Sequence, residues 1–354
     1  GTTGKPKGVQ LTHEGLNFMR LCEHMEPTYT WHDGDMMIFV MPNFHLVGTG
    51  LSIHGLYNGT TLTILPTADM AQLLPTIARD KPTICCLVPT AIQMLLDHPD
   101  AKTTDFSSLR LVMYAGSPIG MKLLKRAMTE MKCEFMQFYG STESSGATTL
   151  LRPNQHDLND ERKLKSCGTP LPLMEIKIVD AKGREVADGG VGEFLLRTPT
   201  IFRGYWNQSD ITAAALKDGW YRTGDAGYRD TDGLLYIVDR VKDMIISGGE
   251  NIYSTEVDQA LMRHPAVSQV AVVGLPDDHW GERVSAAVVT AKDCTVGEDE
   301  LIAHCRSLIA GYKVPKAIFF RSSLPMTPSG KITKNVLREQ LISEHGAFAA
   351  ATPP

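Results

Sequence analysis

The chain has 354 residues, 43% hydrophobic and 21% charged, the proportions of a folded globular protein and not of a disordered tail. Lys plus Arg is 35 and Asp plus Glu is 40, a formal net charge of −5, and no basic stripe tracks a phosphate backbone, so nucleic acid is not an expected partner. At roughly 100 to 200 residues per domain the length points to two or three domains, and no apolar run approaches the about 20 residues that span a bilayer.

From residue 37 to 138 short β-rich runs alternate with stretches of helical periodicity, the pattern of parallel strands joined by crossover helices. Strands are expected at 37–40, 60–65, 84–88 and 109–114, and helices at 69–79, 89–96 and 118–131, the last two with Pro89 and Pro118 in the first turn. The fold class predicted is α/β, a sheet covered on both faces. After Cys167 the apolar runs 174–179, 192–197 and 234–238 are short and separated by Gly and Asp turns, which predicts an antiparallel or barrel-like subdomain. A small α+β unit starts near Lys242, with a helix at 254–264, strands at 267–273 and 284–289, and helices at 298–310 and 334–344. The expected division is therefore 1–241, 242–346 and a frayed tail at 347–354.

The seven cysteines are scattered without a CxxC pair, which reads as reduced thiols in a cytoplasmic protein and excludes a sequence-legible zinc site. The chain opens on Gly1 inside a glycine-rich run and without Met, so it is expected to be a piece whose beginning is missing.

Five short segments carry residues able to do chemistry. Gly1 to Gly8 packs three glycines, two threonines and two lysines into one loop, suited to wrapping a polyphosphate or, equally, to a surface turn. Gly8 is followed by Val9 and Gln10, so the Walker pattern is not met. Tyr139-Gly140-Ser141-Thr142-Glu143 follows a strand, which would put it at the carboxyl end of the sheet, where open α/β folds bind ligands. Glu143 there is either a metal-holding carboxylate or a solvated loop acid, and Thr142 either a ligand contact or a turn hydroxyl. Tyr221 to Asp225 and Asp239-Arg240 each set an acid near an arginine, a grip for a ribose diol or a structural ion pair. His45, between Phe44 and Leu46, walls a pocket or sits satisfied in a core. Lys331, in Pro328-Ser329-Gly330-Lys331, is by itself a surface lysine on a turn.

In this order and approximate spacing, Gly1 to Gly8, Tyr139 to Glu143, Tyr221 to Asp225, Asp239 to Glu250 and Pro328 to Lys331 resemble the adenylate-forming superfamily of acyl-CoA synthetases, adenylation domains and luciferases, over nearly the whole chain. The run Lys242 to Asn251 and Trp280-Gly281-Glu282 resemble most the fatty and medium-chain acyl-CoA ligases. The resemblance implies a large N-terminal domain with αβα sheet layers and a barrel-like subdomain, incomplete here, and a small mobile α+β C-terminal domain. It implies an enzyme that activates a carboxylic acid with ATP and Mg²⁺ to an acyl-adenylate, then passes the acyl group to coenzyme A.

Carried over, Lys331 bridges the acyl carboxylate and the α-phosphate, Thr2, Thr3, Gly4 and Lys7 line the pyrophosphate loop, Thr142 touches the α-phosphate and Glu143 holds Mg²⁺. Asp225 accepts from the ribose hydroxyls with Arg240 assisting. Gly116, Ser117 and Pro118 flank adenine, Tyr139 stacks on it, and Gly140 and Ser141 belong to the same nucleotide segment. His45 stands beside the carboxylate and the pantetheine exit, Lys242 is the hinge, and Gly248, Gly249 and Glu250 form the pantetheine tunnel. The expected acid is fatty, Gly140 leaving room in its pocket, with an aryl-acid ligase, an amino-acid adenylation domain and an inactive AMP- or acyl-CoA-binding relative as alternatives. The run Asn43 to Leu46 offers no acid for an α-ammonium, which weighs against the amino-acid branch.

Overall fold

The computed structural model describes residues 7–327 and 331–345. The chain divides into two compact units, one built from 8–223 and 227–237, the other from 238 onward together with Lys7 and 224–226.

The first unit opens with α1 (His13–Met25), β1 (Met36–Phe39), α2 (Leu46–Tyr57), β2 (Thr61–Ile64), α3 (Met70–Asp80), β3 (Ile84–Leu87), α4 (Pro89–Asp97), β4 (Leu111–Ala115), α5 (Met121–Met131) and β5 (Glu134–Ser141). Local chemistry sets several starts: Thr12 Oγ1 accepts from Gly15 N (2.9 Å) at α1, Asp69 Oδ1 accepts from Ala71 N (3.0 Å) at α3, and Pro89 occupies the first turn of α4. Strands β1 to β5 pair in parallel in the order β2-β1-β3-β4-β5. Next come β6 (Gly146–Leu151), α6 (Glu161–Lys165) and β7 (Thr169–Pro170), and the two strands extend the sheet antiparallel beyond β5.

The period-2 alternation of the strands divides the core between the two faces. Ile38, Cys85, Val112, Tyr114 and Phe135 pack with Leu73, Ile77, Ile92, Leu95 and Leu124 from α3, α4 and α5. Met37, Phe39, Ile84, Cys86, Met113 and Met136 face the other way, against Met19 and Cys22 of α1 and against Leu196, Phe202, Tyr205 and Tyr221. Both faces are covered, the first by α3, α4 and α5 and the second by α1, by Val47 and Leu51 of the crossover helix α2, and by residues of the segment that follows. The second sheet follows: β8 (Glu175–Val179), β9 (Gly192–Arg197), α7 (Ser209–Ala215), β10 (Leu216–Lys217), β11 (Trp220–Arg229) and β12 (Leu235–Arg240), in the order β10-β11-β9-β8 with β12 on β11. Its β8–β9 and β10–β11 pairs are antiparallel.

Three boundaries differ from expectation. Helix α5 starts at Met121, because Gly120 is extended (φ −66°, ψ 136°), so Pro118 lies in the preceding loop and not in a first turn. Helix α9 (Glu298–Arg306) stops short of residue 310, where Ser307 and Leu308 donate to His304 and Cys305 carbonyls in tight turns. Helix α8 (Ser254–Met262) likewise gives way to turns before His264.

Past β12 the second unit runs through a single 3₁₀ turn at Val241–Asp243, then β13 (Ile245–Ser247), β14 (Glu250–Ile252), α8, β15 (Val267–Asp277), β16 (Gly281–Thr290), α9, β17 (Ala317–Phe320) and α10 (Lys334–His345). The sheet order is β14-β13-β16-β15 with β17 parallel on β16. Val270 and Val272 face α8 and α9 through Val257, Leu261, Leu301 and Cys305, while Ala271, Val273 and Leu275 face Leu337 and Leu341 of α10. Among the described residues no helix is long and apolar enough to cross a membrane.

Candidate active site

In the first unit, β5 ends in Tyr139-Gly140-Ser141, and Thr142–Ser144 turn as a short 3₁₀ helix. The turn is braced by one buried hydroxyl. Ser144 Oγ accepts from Ser141 N (3.0 Å), and its single O–H is shared between the carbonyls of Ser141 (2.9 Å) and Gly146 (2.7 Å). The chain then reverses through Ser145 at φ 58°, whose Oγ donates to Thr200 O at 2.6 Å. Gly140 has a different reason from the one expected. A Cβ there would lie 2.1 Å from Gly146 O, so the missing side chain admits the neighbouring strand β6 and does not open room for a substrate.

Glu143 is half-buried, and its Oε1 accepts from the phenol of Tyr205 at 2.8 Å. Its backbone carbonyl accepts from Phe202 N at 2.8 Å. The same segment pairs with Gly8 to Gln10: Trp206 N donates to Gly8 O (2.7 Å) and Gln10 N to Gly204 O (2.9 Å). Sequence reading passed over Tyr205. The signal available was the aromatic run Phe202-Arg203-Gly204-Tyr205-Trp206, which does not reveal its partner.

Gly116 follows β4 at φ +93°, with Ser117 half-buried and Pro118 exposed beside it. Tyr139 meets Phe194 edge-on at 6.3 Å. His45 caps α2, its Nδ1 accepting from Val47 N at 3.2 Å; α2 escaped prediction because Leu46–Tyr57 is apolar almost all round and shows no polar face.

In the second unit the Arg240 side chain forms its ion pair with Asp225 and not with the adjacent Asp239. Asp225 is 6% exposed and pairs with Arg240 Nε at 2.7 Å. Asp239 instead accepts from Ser254 Oγ (2.7 Å), Thr255 N and Arg240 N. In the first unit, Arg222 pairs with Glu193. Lys331 is half-buried, its N–H donating to Thr327 Oγ1 (3.1 Å) and its carbonyl accepting from Thr327 N (2.8 Å). Burial pulls the Lys331 ammonium below the usual lysine range, Arg240 pushes the same way, and Asp225 opposes both.

Lys242 lies in the 3₁₀ turn and is lowered by burial, while burial raises the carboxyl of Asp243 beside it. Gly248 and Gly249, at φ +59° and +86°, form the two-residue loop of the β13–β14 hairpin, with Glu250 exposed after them. A two-residue hairpin loop of this kind requires positive φ at both positions. A Cβ on Gly248 would meet the Trp280 ring at 2.8 Å. Lys7 is exposed. Thr2, Thr3 and Gly4, the segment 328–330 and the tail 347–354 lie outside the described residues.

No group of three or more His, Cys, Asp or Glu that would hold a metal unaided occurs among the described residues. The donor chemistry fits Mg²⁺ arriving with a nucleotide, since that ion takes one or two carboxylates and completes its shell with phosphate oxygens and water. Glu143 would supply one such carboxylate.

The family model described as AMP-binding enzyme matches residues 1–206, and that of the AMP-binding enzyme C-terminal domain matches 256–331. A fatty acid–(acyl-carrier-protein) ligase of Streptomyces coeruleorubidus is 37% identical over 342 residues, 96% of this chain and 66% of the relative. A medium/long-chain-fatty-acid–CoA ligase of Mycobacterium tuberculosis is 37% identical over 345 residues, 96% of this chain and 59% of its own length. The chain thus spans less than two thirds of these two relatives. Among solved structures, an o-succinylbenzoate coenzyme A synthetase of Bacillus subtilis in complex with ATP and magnesium ion superposes with TM-score 0.83 at 32% identity, covering 95% of this chain and 67% of that one.

Proposed function

The chain belongs to the AMP-binding enzyme family, and we propose that it carries the machinery of an AMP-forming acid–thiol ligase. In the first half-reaction a carboxylate oxygen attacks the α-phosphorus of ATP, and the bond to the β-phosphate oxygen breaks, giving acyl-AMP and pyrophosphate. In the second, a thiol of coenzyme A attacks the acyl carbon and AMP leaves. The observation that carries this reading is the grouping of Asp225, Arg240 and Lys331 into one electrostatic cluster, since the reaction needs a fixed cation where two anions meet and an acceptor for the ribose.

On this reading Lys331 bridges the carboxylate and the α-phosphate, Asp225 accepts from the ribose hydroxyls, and Arg240 orients Asp225. Thr142 contacts the α-phosphate, Thr2, Thr3, Gly4 and Lys7 wrap the pyrophosphate, and Gly116, Ser117, Pro118 and Tyr139 to Ser141 receive the base. Glu143 would hold Mg²⁺, which supplies charge neutralisation for the phosphates when bound. His45 borders the acyl carboxylate. Residues 1–241 form the large domain and 242–346 the small one, which turns at Lys242 so that Lys331 withdraws and Gly248, Gly249 and Glu250 line the pantetheine path.

The acid is proposed to be fatty, supported by the names of the relatives from Streptomyces and Mycobacterium; the o-succinylbenzoate synthetase keeps an aryl acid as the second choice. ATP–pyrophosphate exchange on the protein expressed from its complete reading frame, across acetate, hexanoate, decanoate, palmitate, benzoate and amino acids, followed by addition of coenzyme A, tests it. Exchange with a fatty acid and thioester formation are expected. Exchange with amino acids only, or with no acid, would overturn the reading.

A further inference from the structure

We propose that Tyr205 is a positioning residue for the carboxylate of Glu143 and ties it to the chain segment at Gly8 to Gln10; this rests on the proposed role of Glu143 in holding Mg²⁺. Three observations converge on one side chain. The Tyr205 phenol donates to Glu143 Oε1 at 2.8 Å, and the ring is 7% exposed. That ring is packed edge-on against Phe202 (4.8 Å), which meets Tyr221 in turn (5.5 Å), so the phenol oxygen has little freedom to follow a wandering carboxylate. The backbone of Tyr205 bridges to Val9, directly after Gly8, and its N–H donates to Thr212 Oγ1 at 2.9 Å.

The choice of a phenol has a chemical reason. An arginine or lysine at this position would orient the carboxylate equally well but would cancel the charge that attracts a cation. A neutral O–H fixes Oε1 and leaves the negative charge in place, with Oε2 carrying no hydrogen bond among the described residues. Because Phe202 N also holds the Glu143 carbonyl, residues 202–205 clamp both ends of Glu143. Any displacement of the loop exit at Gly8 to Gln10 is therefore transmitted to the metal-holding oxygen. Partners of this kind, which orient a metal ligand through a hydrogen bond, typically contribute about 10- to 100-fold in metal affinity.

The test compares wild type, Tyr205→Phe and Glu143→Gln, read by titration calorimetry with ATP in the presence of Mg²⁺ and with ATP in EDTA, and by Mn²⁺ binding to the ATP-loaded protein in electron paramagnetic resonance. Tyr205→Phe keeps the ring and its packing. It is expected to weaken Mn²⁺ binding about 10-fold while leaving binding of metal-free ATP unchanged. Equal weakening of metal-free ATP would mean a merely structural ring and overturn the inference. Wild-type Mn²⁺ affinity in Tyr205→Phe, with Glu143→Gln weakened, would overturn it and leave the Glu143 assignment standing. Wild-type affinity in both variants would overturn the Glu143 assignment itself.

Discussion

Glu143 and Lys331 are the two charged side chains from which the proposed chemistry asks most, and the protein holds them in opposite ways. Glu143 is gripped at its carboxylate by Tyr205 and at its carbonyl by Phe202, next to a turn braced by Ser144. Lys331 is held through its backbone, by both hydrogen bonds to Thr327 and the bridge from Met326 to Ile332, and it makes no ion pair among the described residues. Its ammonium feels Arg240 and Asp225 only through the field. On the proposed function the difference would follow two tasks: a metal-holding carboxylate gains from an orientation fixed before the ligand arrives, whereas a lysine proposed to meet the nucleotide in one step and leave before the next gains from a firm stem and an unclasped tip.

The sharpest way to break this contrast is Lys331→Ala. Pyrophosphate exchange is expected to fall at least about 100-fold, with thioester formation from supplied acyl-adenylate retained and the melting temperature unchanged. Equal loss of both half-reactions would show that the lysine does not withdraw. Next in size is Gly140→Ala, which forces a methyl group onto Gly146 O at 2.1 Å. Urea denaturation should show a loss of about 1–3 kcal/mol, and an unshifted midpoint would mean that the loop beside Glu143 is not braced by β6.

The smallest effect expected is on pH dependence. The folded pKa of Lys331 lies below 10.5, so if the charged form acts, exchange declines as pH rises through a value below 10.5. Because Arg240 contributes to that lowering, Arg240→Gln should move the alkaline limb to higher pH, and an unmoved limb would detach Lys331 from the cluster. The stability sign is the reverse: the unfolded chain keeps this proton to higher pH, so the stability contribution of Lys331 rises with pH between its folded pKa and 10.5.

Much of the fold was legible where periodicity meets punctuation. Helical periodicity from residue 69 and Pro89 at a first turn marked α3 and α4 to within a residue or two. Pro118 misled because a proline reports only its own φ, while the extended Gly120 two residues on decides where the helix begins. Helix α2, without a polar face, and the 10-residue strand β11, interrupted in sequence by glycines and charges, carried no clear period. At the candidate site the residue types of Glu143, Asp225 and Lys331 were legible, but their partners were not. Arg222 stands three positions before Asp225 and pairs with Glu193, while Asp225 pairs with Arg240.

The sequence by itself determined the alternation of strands and helices and the identity of the charged groups, because propensity, period and side-chain chemistry are properties of a few adjacent residues. Only the tertiary structure decided that Gly140 yields space to β6, that a tyrosine from a distant segment orients Glu143, and that Asp225, Arg240 and Lys331 share one field. Those relations depend on distances across the fold, and a hydrogen bond or a Coulomb interaction depends on separation in space and not on separation along the chain.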